Sequence, residues 1–544
     1  MSDTPSVRSL TTVSDTTRRW LFATCFVALV ATSFAFMIRL MLIDEWGTLY
    51  NLSATEKGQV LGAGIWPFAI SIVLFSLFID RVGYGKSLAF ALVCHVVSVF
   101  VTISADGYWG LFWGNFIAAI AAGTVEAVIN PVIATLYADR GKTKWLNILH
   151  AGWPGGLVIA GLLTLGMNDG GLFSSLFADG GAIDWRWTVG LLLIPTAAYG
   201  LMMLGARFPV NERVAAGVSY RAMLAEMGAG GALIAAGLIV WELFRVLADL
   251  NEIAASIWMT TALITIAAIV GGYYAYVRTV GRPLFIFLLL IMILLAITEL
   301  GTDAWIKSLM EPVMRASFDL DGGWVLIYTA TIMVLLRTFC GPVVKLLNPL
   351  GMLAVSALFA AAGLMLLSTA QGLLILGAAT VYGIGQTFFW PTTLGFIAER
   401  FPRGGALTLN AIAGVGMLGV GIFGTPLLGS IQDDHAADTL RAAQPGIYAE
   451  VIGNTKVGVF GAYEPIDETK LAALPEPEQT QVAEVRDASK QEALFRVAAL
   501  PLMMFVCYAG LWVYFRSRGG YTAVELSESN SKTHSTIDRF GVAR

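Results

Sequence analysis

Glu126 is a lone carboxylate in the apolar run from Gly110 to Tyr137. That run, roughly 28 residues, is long enough to cross a bilayer as a helix. A carboxylate at such depth costs about 2.5–3.5 kcal/mol on insertion scales and points to function by default. Desolvation disfavours the charged form of a buried carboxyl. A carboxyl whose surroundings change in turn can therefore bind a proton from one side of a membrane and release it on the other. Proton coupling is the chemistry Glu126 offers, against the alternative of a neutral, hydrogen-bonded packing acid. Asn130 lies four residues on, along the same helical face.

Glu299 and Asp303, at i,i+4, share one face of the run that begins at Pro283. A rise of about 1.5 Å per residue places Glu299 in the outer half of the membrane and Asp303 near its outer edge. Glu299 is then a proton or solute ligand. Asp303 is either a solute ligand or a solvated residue paired with Lys307, again at i,i+4. Arg337 is the counterweight, about 20 Å inside its own run. Its guanidinium calls for a carboxylate or a polar ligand, and structural ion pair and solute clamp stay equally open. Arg39, near the outer end of the first run, reads as a snorkelling side chain. His150, close to the cytoplasmic surface, is either a group titrating near neutral pH or a hydrogen-bonded helix-start histidine. Trp153, Trp305 and Trp390 could stack on a sugar-like ring, although tryptophan also gathers at membrane interfaces. Trp390, deeper in its run and four residues from Gln386, best escapes that objection.

The elements that position these residues follow from composition. The chain of 544 residues is 57% hydrophobic and only 13% charged, about half the charge fraction of a soluble domain. A net charge of −4 gives no hint of a nucleic-acid partner. The four cysteines all fall inside apolar runs, and nothing suggests a disulfide or a metal site. Fourteen runs long enough to span occur, near 20–42, 58–79, 87–105, 110–137, 146–167, 187–206, 228–248, 254–277, 283–308, 324–346, 351–370, 373–397, 404–430 and 494–516. Short loops on one side are rich in Lys and Arg, whereas the other side has only Lys57, Arg186, Lys307 and Arg315. By the positive-inside rule both termini are cytoplasmic. Arg18-Arg19 reads as a cytoplasmic charge cluster rather than a twin-arginine signal, because the run that follows is too long for a signal core.

The layout is six runs, an inserted pair, then six runs. Ranges follow: a cytoplasmic segment 1–19, a bundle 20–206, a linker with the inserted hairpin 207–282, a second bundle 283–517 and a tail 518–544. Glu242 and Arg245 in the hairpin can pair with each other at i,i+3, read as a structural pair. The outer loop 431–493 is acidic, either an extracytoplasmic cap or a solvated insertion. The tail, rich in Ser, Thr and charge, reads as disordered.

The loop Ser76-Leu77-Phe78-Ile79-Asp80-Arg81-Val82-Gly83-Tyr84-Gly85-Lys86 resembles the Gly-x-x-x-Asp-Arg-x-Gly-Arg-Arg motif of major facilitator superfamily transporters. Asp80, Arg81 and Gly83 match, Ser76 replaces the leading glycine, and Lys86 is what is left of the basic end. The equivalent loop of the second half, Gly341 to Gly351, has Lys345 where an acid is usual. Within that superfamily, Glu126, Asn130 and Pro131 resemble the Glu-x-x-x-Asn-Pro stretch of the fucose permease group of sugar–proton symporters. Leu146-Asn147, Glu299 with Trp305, and Pro391-Thr392 are similar more loosely.

The resemblance covers twelve core runs and implies an all-α membrane protein with the major facilitator fold: two six-helix bundles plus an inserted two-helix hairpin. It implies a non-enzymatic secondary transporter working by alternating access, taking up a sugar or similar small polar solute with protons. Glu126 and Glu299 are the coupling candidates. Asn130, Arg337, Gln386, Trp390, Asp303, Trp305, Asn147 and His150 are the solute-binding candidates, and Asp80, Arg81, Gly83 and Lys86 form the gate. No cofactor, metal or nucleic-acid partner is expected, and no oligomer is required. The expected location is the plasma membrane, as the inner membrane of a bacterium. The alternatives are a fourteen-span peptide symporter, although Phe34 to Ile43 lacks the Glu-x-x-Glu-Arg pattern usual there, a drug exporter, or a non-transporting nutrient sensor.

Overall fold

With no water in a bilayer to satisfy backbone groups, long apolar runs must fold as helices, and the chain does so. The structure, a computed structural model, describes residues 13–526 apart from 53, 178–180, 182, 454–455 and 459–460. The first twelve residues of the N-terminal segment and the tail from 527 onward lie outside the described residues. Among those described, eleven helices are long and apolar enough to cross a membrane. Each of the fourteen expected runs falls on helix, but several are interrupted. Breaks separate Ala54–Gly62 from Trp66–Val82, Lys142–Leu149 from Gly152–Met167, and Leu374–Gln386 from Phe389–Arg400. Two π-helical turns, Ile297–Gly301 and Val420–Gly424, lie against each other within the second half. Such irregular turns often sit at functional sites.

Two helical bundles flank the inserted pair. In the first, Asp15–Leu49 packs on Gly152–Met167, and Tyr108–Leu136 packs between Trp66–Val82 and Tyr84–Ile103. In the second, Pro349–Leu367 packs on Leu374–Gln386 and Ala499–Ser517. The bundles meet where Gly405–Gly419 crosses Trp66–Val82 and where Gly323–Thr338 crosses Gly152–Met167. The belt of exposed Leu, Val, Ile and Phe side chains outside these contacts is the surface a lipid phase would cover.

Three expectations change. The first helix runs from Asp15 to Leu49, so Arg39 lies in its body, roughly 15 Å before its end by the helical rise. The stretch 431–493 is not a solvated insertion. Thr425–Ala443 and Glu476–Val497 extend beyond the bundle and, with Pro445–Val451, enclose a small core of Leu440, Val451, Ile466, Leu474 and Val482. Periodic apolar residues among the carboxylates supply that core. A two-stranded hairpin, Lys456–Gly458 with Gly461–Tyr463, completes the cap. The tail is ordered as far as it is described. Tyr521 Oη donates to Glu399 Oε2 at 2.6 Å, and Val524 N donates to the Glu399 carbonyl at 2.8 Å.

The inserted pair, Tyr220–Leu250 and Ala255–Val277, is pinned by a backbone crossing. Ala229 N and Gly230 N donate to the carbonyls of Thr279 and Val280 at 3.0 and 2.8 Å. Gly228 adopts φ +62° there, and a Cβ on it would come within 2.1 Å of Gly281 N. Only glycine accepts both the left-handed backbone and the contact. Gly228→Ala should therefore destabilise the protein by about 1–3 kcal/mol or more, read as a fall in the thermal midpoint of the purified protein, with Gly237→Ala, which meets no neighbour within 4 Å, as the silent control.

Candidate functional site

A cavity of about 570 Å³ lies between the bundles at the end carrying the cap. The first bundle contributes Arg39, Gln59, Asn115 and Trp153, and the second Trp305 and Met417. The inserted helix contributes Glu242, Arg245 and Asp249. At its base, sharing Phe68, Trp153 and Met417 with it, is a pocket of about 30 Å³ lined by Glu126, His150, Glu299, Arg337 and Trp390. The structure thus brings five of the candidates together at one point between the halves.

Glu126 is 4% exposed. Asn130 Nδ2 donates to its Oε2 at 2.5 Å, as the i,i+4 spacing predicts, and to its backbone carbonyl at 3.1 Å. His150 Nε2 stands 3.8 Å from Glu126 Oε2, while its Nδ1 lies 2.9 Å from the Leu146 carbonyl. His150 is therefore not near the surface. It follows the eight-residue helix Lys142–Leu149, which carries it about 12 Å inward. On the other side, Arg337, 1% exposed, donates from Nη2 to Glu299 Oε1 at 2.8 Å. Its Nε donates to the Thr387 carbonyl at 2.6 Å, and its Nη1 to the His150 carbonyl at 3.0 Å. Trp390 N donates to Glu299 Oε2 at 3.2 Å. A buried charge pair of this kind persists only when its remaining hydrogen-bonding capacity is also met.

The acceptors have a local cause. The carbonyl of His150 would ordinarily take the N–H of residue 154, and that of Thr387 the N–H of residue 391. Both positions are proline, in the parallel stretches His150-Ala151-Gly152-Trp153-Pro154 and Thr387-Phe388-Phe389-Trp390-Pro391. Proline has no N–H, so both carbonyls are left free and Arg337 takes them. Pro131 likewise frees the Ala127 carbonyl, which accepts from Asn410 Nδ2 of the opposite bundle at 3.1 Å.

Other candidates lie elsewhere. Asp303 is buried rather than solvated, and Lys307 turns instead to Asp321 at 3.6 Å. The π-turn just before Asp303 rotates it inward. Asp303 and Gln386 are both buried and lie against each other, and neither residue lines the cavity. Trp305 lines the outer cavity. Asn147 instead joins the halves, Nδ2 donating to Thr392 Oγ1 at 3.2 Å. The Glu242–Arg245 pair forms at 2.7 Å, but Arg245 also meets Asp249 at 2.9 Å and the group faces the cavity. Three charges at i, i+3 and i+7 in an apolar run mark a face turned away from lipid, a signal that the pairing of two of them hides.

The opposite end is shut. Asp80 pairs with Arg213 at 2.5 Å rather than with Arg81, whose guanidinium lies 5.1 Å from the Tyr220 ring centroid. Gly83 makes the turn at φ +91°, and Lys86 is exposed. Lys142 Nζ meets Glu212 Oε2 at 2.6 Å and the Ala398 carbonyl at 3.2 Å. Glu399 Oε1 accepts from the N–H and hydroxyl of Thr143 at 3.0 and 2.7 Å. Cys340 Sγ lies 3.7 Å from the Lys144 carbonyl within this seal.

The Major Facilitator Superfamily model matches residues 20–425, and the chain belongs to that superfamily of membrane transporters. The fold is similar to that of the proton:xylose symporter XylE of E. coli, at TM-score 0.56 and 12% identity over 92% of this chain and 96% of that one. A bacterial homologue of the human drug peptide transporters PepT1 and PepT2 is similar at TM-score 0.57 and 10% identity, over 92% and 99%. So is the E. coli fucose:proton symporter FucP in its outward conformation, at TM-score 0.51 and 13% identity, over 88% and 98%. No curated protein matches by sequence.

Two predictions follow from this geometry. Arg337→Met leaves Glu299 buried and unpaired and should lower stability by about 3–5 kcal/mol. The double variant with Glu299→Leu should recover most of that in thermal unfolding of the purified protein. Second, in a chain whose other cysteines are replaced by serine, Arg213→Ala or Lys142→Ala should raise the alkylation rate of Cys340 several-fold. An unchanged rate would show that these contacts do not hold the end shut.

Proposed function

We propose that the chain is a secondary active transporter that takes up a sugar or similar small polar solute together with protons by alternating access. The observation that carries this is the pocket at the cavity base, where a carboxylate of each bundle meets a basic side chain: Glu126 beside the His150 imidazole, and Glu299 on the Arg337 guanidinium. The family and the neighbours named above support transport, and two of those neighbours bear the names of sugar–proton symporters. A solute entering from the cap end would meet Trp153 and Trp305 first, then the buried charges. Protonation of Glu126 removes its attraction for His150, whose carbonyl is the ligand of Arg337. A proton on one bundle is thereby felt at the ion pair of the other. Closure over the solute then requires the contacts that cross the halves at the far end, Lys142 to the Ala398 carbonyl and Thr143 to Glu399, to part. We place that basic end in the cytoplasm, with both termini, by its excess of Lys and Arg, and the protein in the inner membrane of a bacterium.

The test is uptake into proteoliposomes. The purified chain should accumulate a labelled solute from a sugar panel under an inward proton gradient. Glu126→Gln should abolish gradient-driven accumulation while keeping solute exchange between the two sides. Full coupling in that variant would remove Glu126 from the mechanism.

A further inference from the structure

Arginines at membrane depth are expected to be paired, and Arg337 and Arg245 each meet a carboxylate within 3 Å. Arg39 does not. Among the described residues its one hydrogen bond runs from Nη2 to the Gly114 carbonyl at 3.5 Å, and no carboxylate lies within 4 Å of it. Held in the body of Asp15–Leu49, it is partly exposed to the large cavity and lines its wall. It cannot reach the membrane surface from there without leaving that wall.

The groups around it are suited to a hydroxylated ring. Asn115 is fully buried, and its Oδ1 has no partner while its Nδ2 is held by the Leu111 carbonyl at 2.8 Å. Gln59 accepts from Tyr108 Oη through its Oε1 at 2.8 Å, which leaves its amide N–H groups toward the cavity. Trp153 and Trp305 offer aromatic faces. A planar guanidinium with free donors is the group that recognises a carboxylate through two parallel hydrogen bonds.

From these residues we infer that the cavity takes an acidic solute, a sugar acid whose carboxylate docks on Arg39 while its hydroxyls meet Asn115 and Gln59. The inference rests on the transport reading for its context and deepens it by naming the solute class. A single negative charge fits better than a phosphate ester of nearly two. Across the same cavity Glu242 and Asp249 share the one cation of Arg245, which leaves that wall with an excess negative charge.

The test is equilibrium binding of labelled D-glucuronate and labelled D-glucose to the purified full-length protein, with D-galacturonate, D-gluconate and glucose 6-phosphate as competitors. Wild type should bind at least one of the three sugar acids about tenfold or more tightly than glucose or glucose 6-phosphate. Arg39→Gln should lose that margin while eluting as the same single species as wild type in size-exclusion chromatography, which shows the variant to be folded, and Arg39→Lys should keep part of it. A wild type that prefers the neutral sugar or the phosphate, that binds none of the acids, or whose preference survives Arg39→Gln overturns the inference. Exchange in proteoliposomes is read separately. Acid-selective binding without exchange keeps the inference and defeats transport, whereas exchange of glucose without acid preference does the reverse.

Discussion

The centre of this protein depends on one guanidinium. Arg337 is almost wholly enclosed, and its donors reach a carboxylate and two backbone carbonyls drawn from three separate segments. A buried cation without such partners would be destabilising by several kcal/mol. The surrounding helices are therefore built to supply them. Breaking Leu374–Gln386 from Phe389–Arg400, and Lys142–Leu149 from Gly152–Met167, exposes carbonyls at the level where the arginine needs them. The same break brings Trp390 N to the second oxygen of Glu299. Helix interruption and buried charge are two sides of one arrangement.

The two ends of the molecule treat charge differently. At the basic end, ion pairs and hydrogen bonds cross from linker and first bundle to second: Lys142 to the Ala398 carbonyl, Thr143 to Glu399, Asn147 to Thr392. Glu399 also holds the tail through Tyr521, so the segment beyond the last helix is tied to the same carboxylate that seals the halves. At the cap end the bundles stand apart, and Arg39 and the Glu242–Arg245–Asp249 group line a cavity between them. Packed interfaces are bistable rather than continuously deformable, and an interface sealed at one end only is the arrangement expected of one of two such states.

Much of this was legible in the residues. Apolar run length located helix at every expected span, because a bilayer leaves the backbone no other choice. The i,i+4 rule placed Asn130 on Glu126, and the depth of Arg337 called for the acid it has. Failures came where a run and its helix differ in extent. The first helix outlasts its apolar run, so Arg39 moved from rim to wall. His150 moved inward because its helix starts earlier, and Asp303 turned in because a π-turn changes the angular step. Inserted-helix charges were read as a closed pair, since sequence shows spacing but not which face another element will leave open.

Three contacts at the centre share a feature that bears on how such an interface can open. Ala127, His150 and Thr387 each lie four residues before a proline, and each lends its carbonyl to a side chain: Asn410, Arg337 and Arg337. Two of the three cross between bundles. Had those side chains drawn on carbonyls already bonded within a helix, parting the bundles and forming them would trade against helical hydrogen bonds. Proline removes the competing donor permanently, so the carbonyl is available to the partner bundle or to water without any change in the helix that carries it. Each such bond has a net value of about 0.5–1.5 kcal/mol, more where the donor is charged, enough to favour one packing and small enough to be exchanged. The prolines thus let rigid helices make reversible polar contacts at depth, where neither flexible loops nor unpaired carbonyls are tolerated.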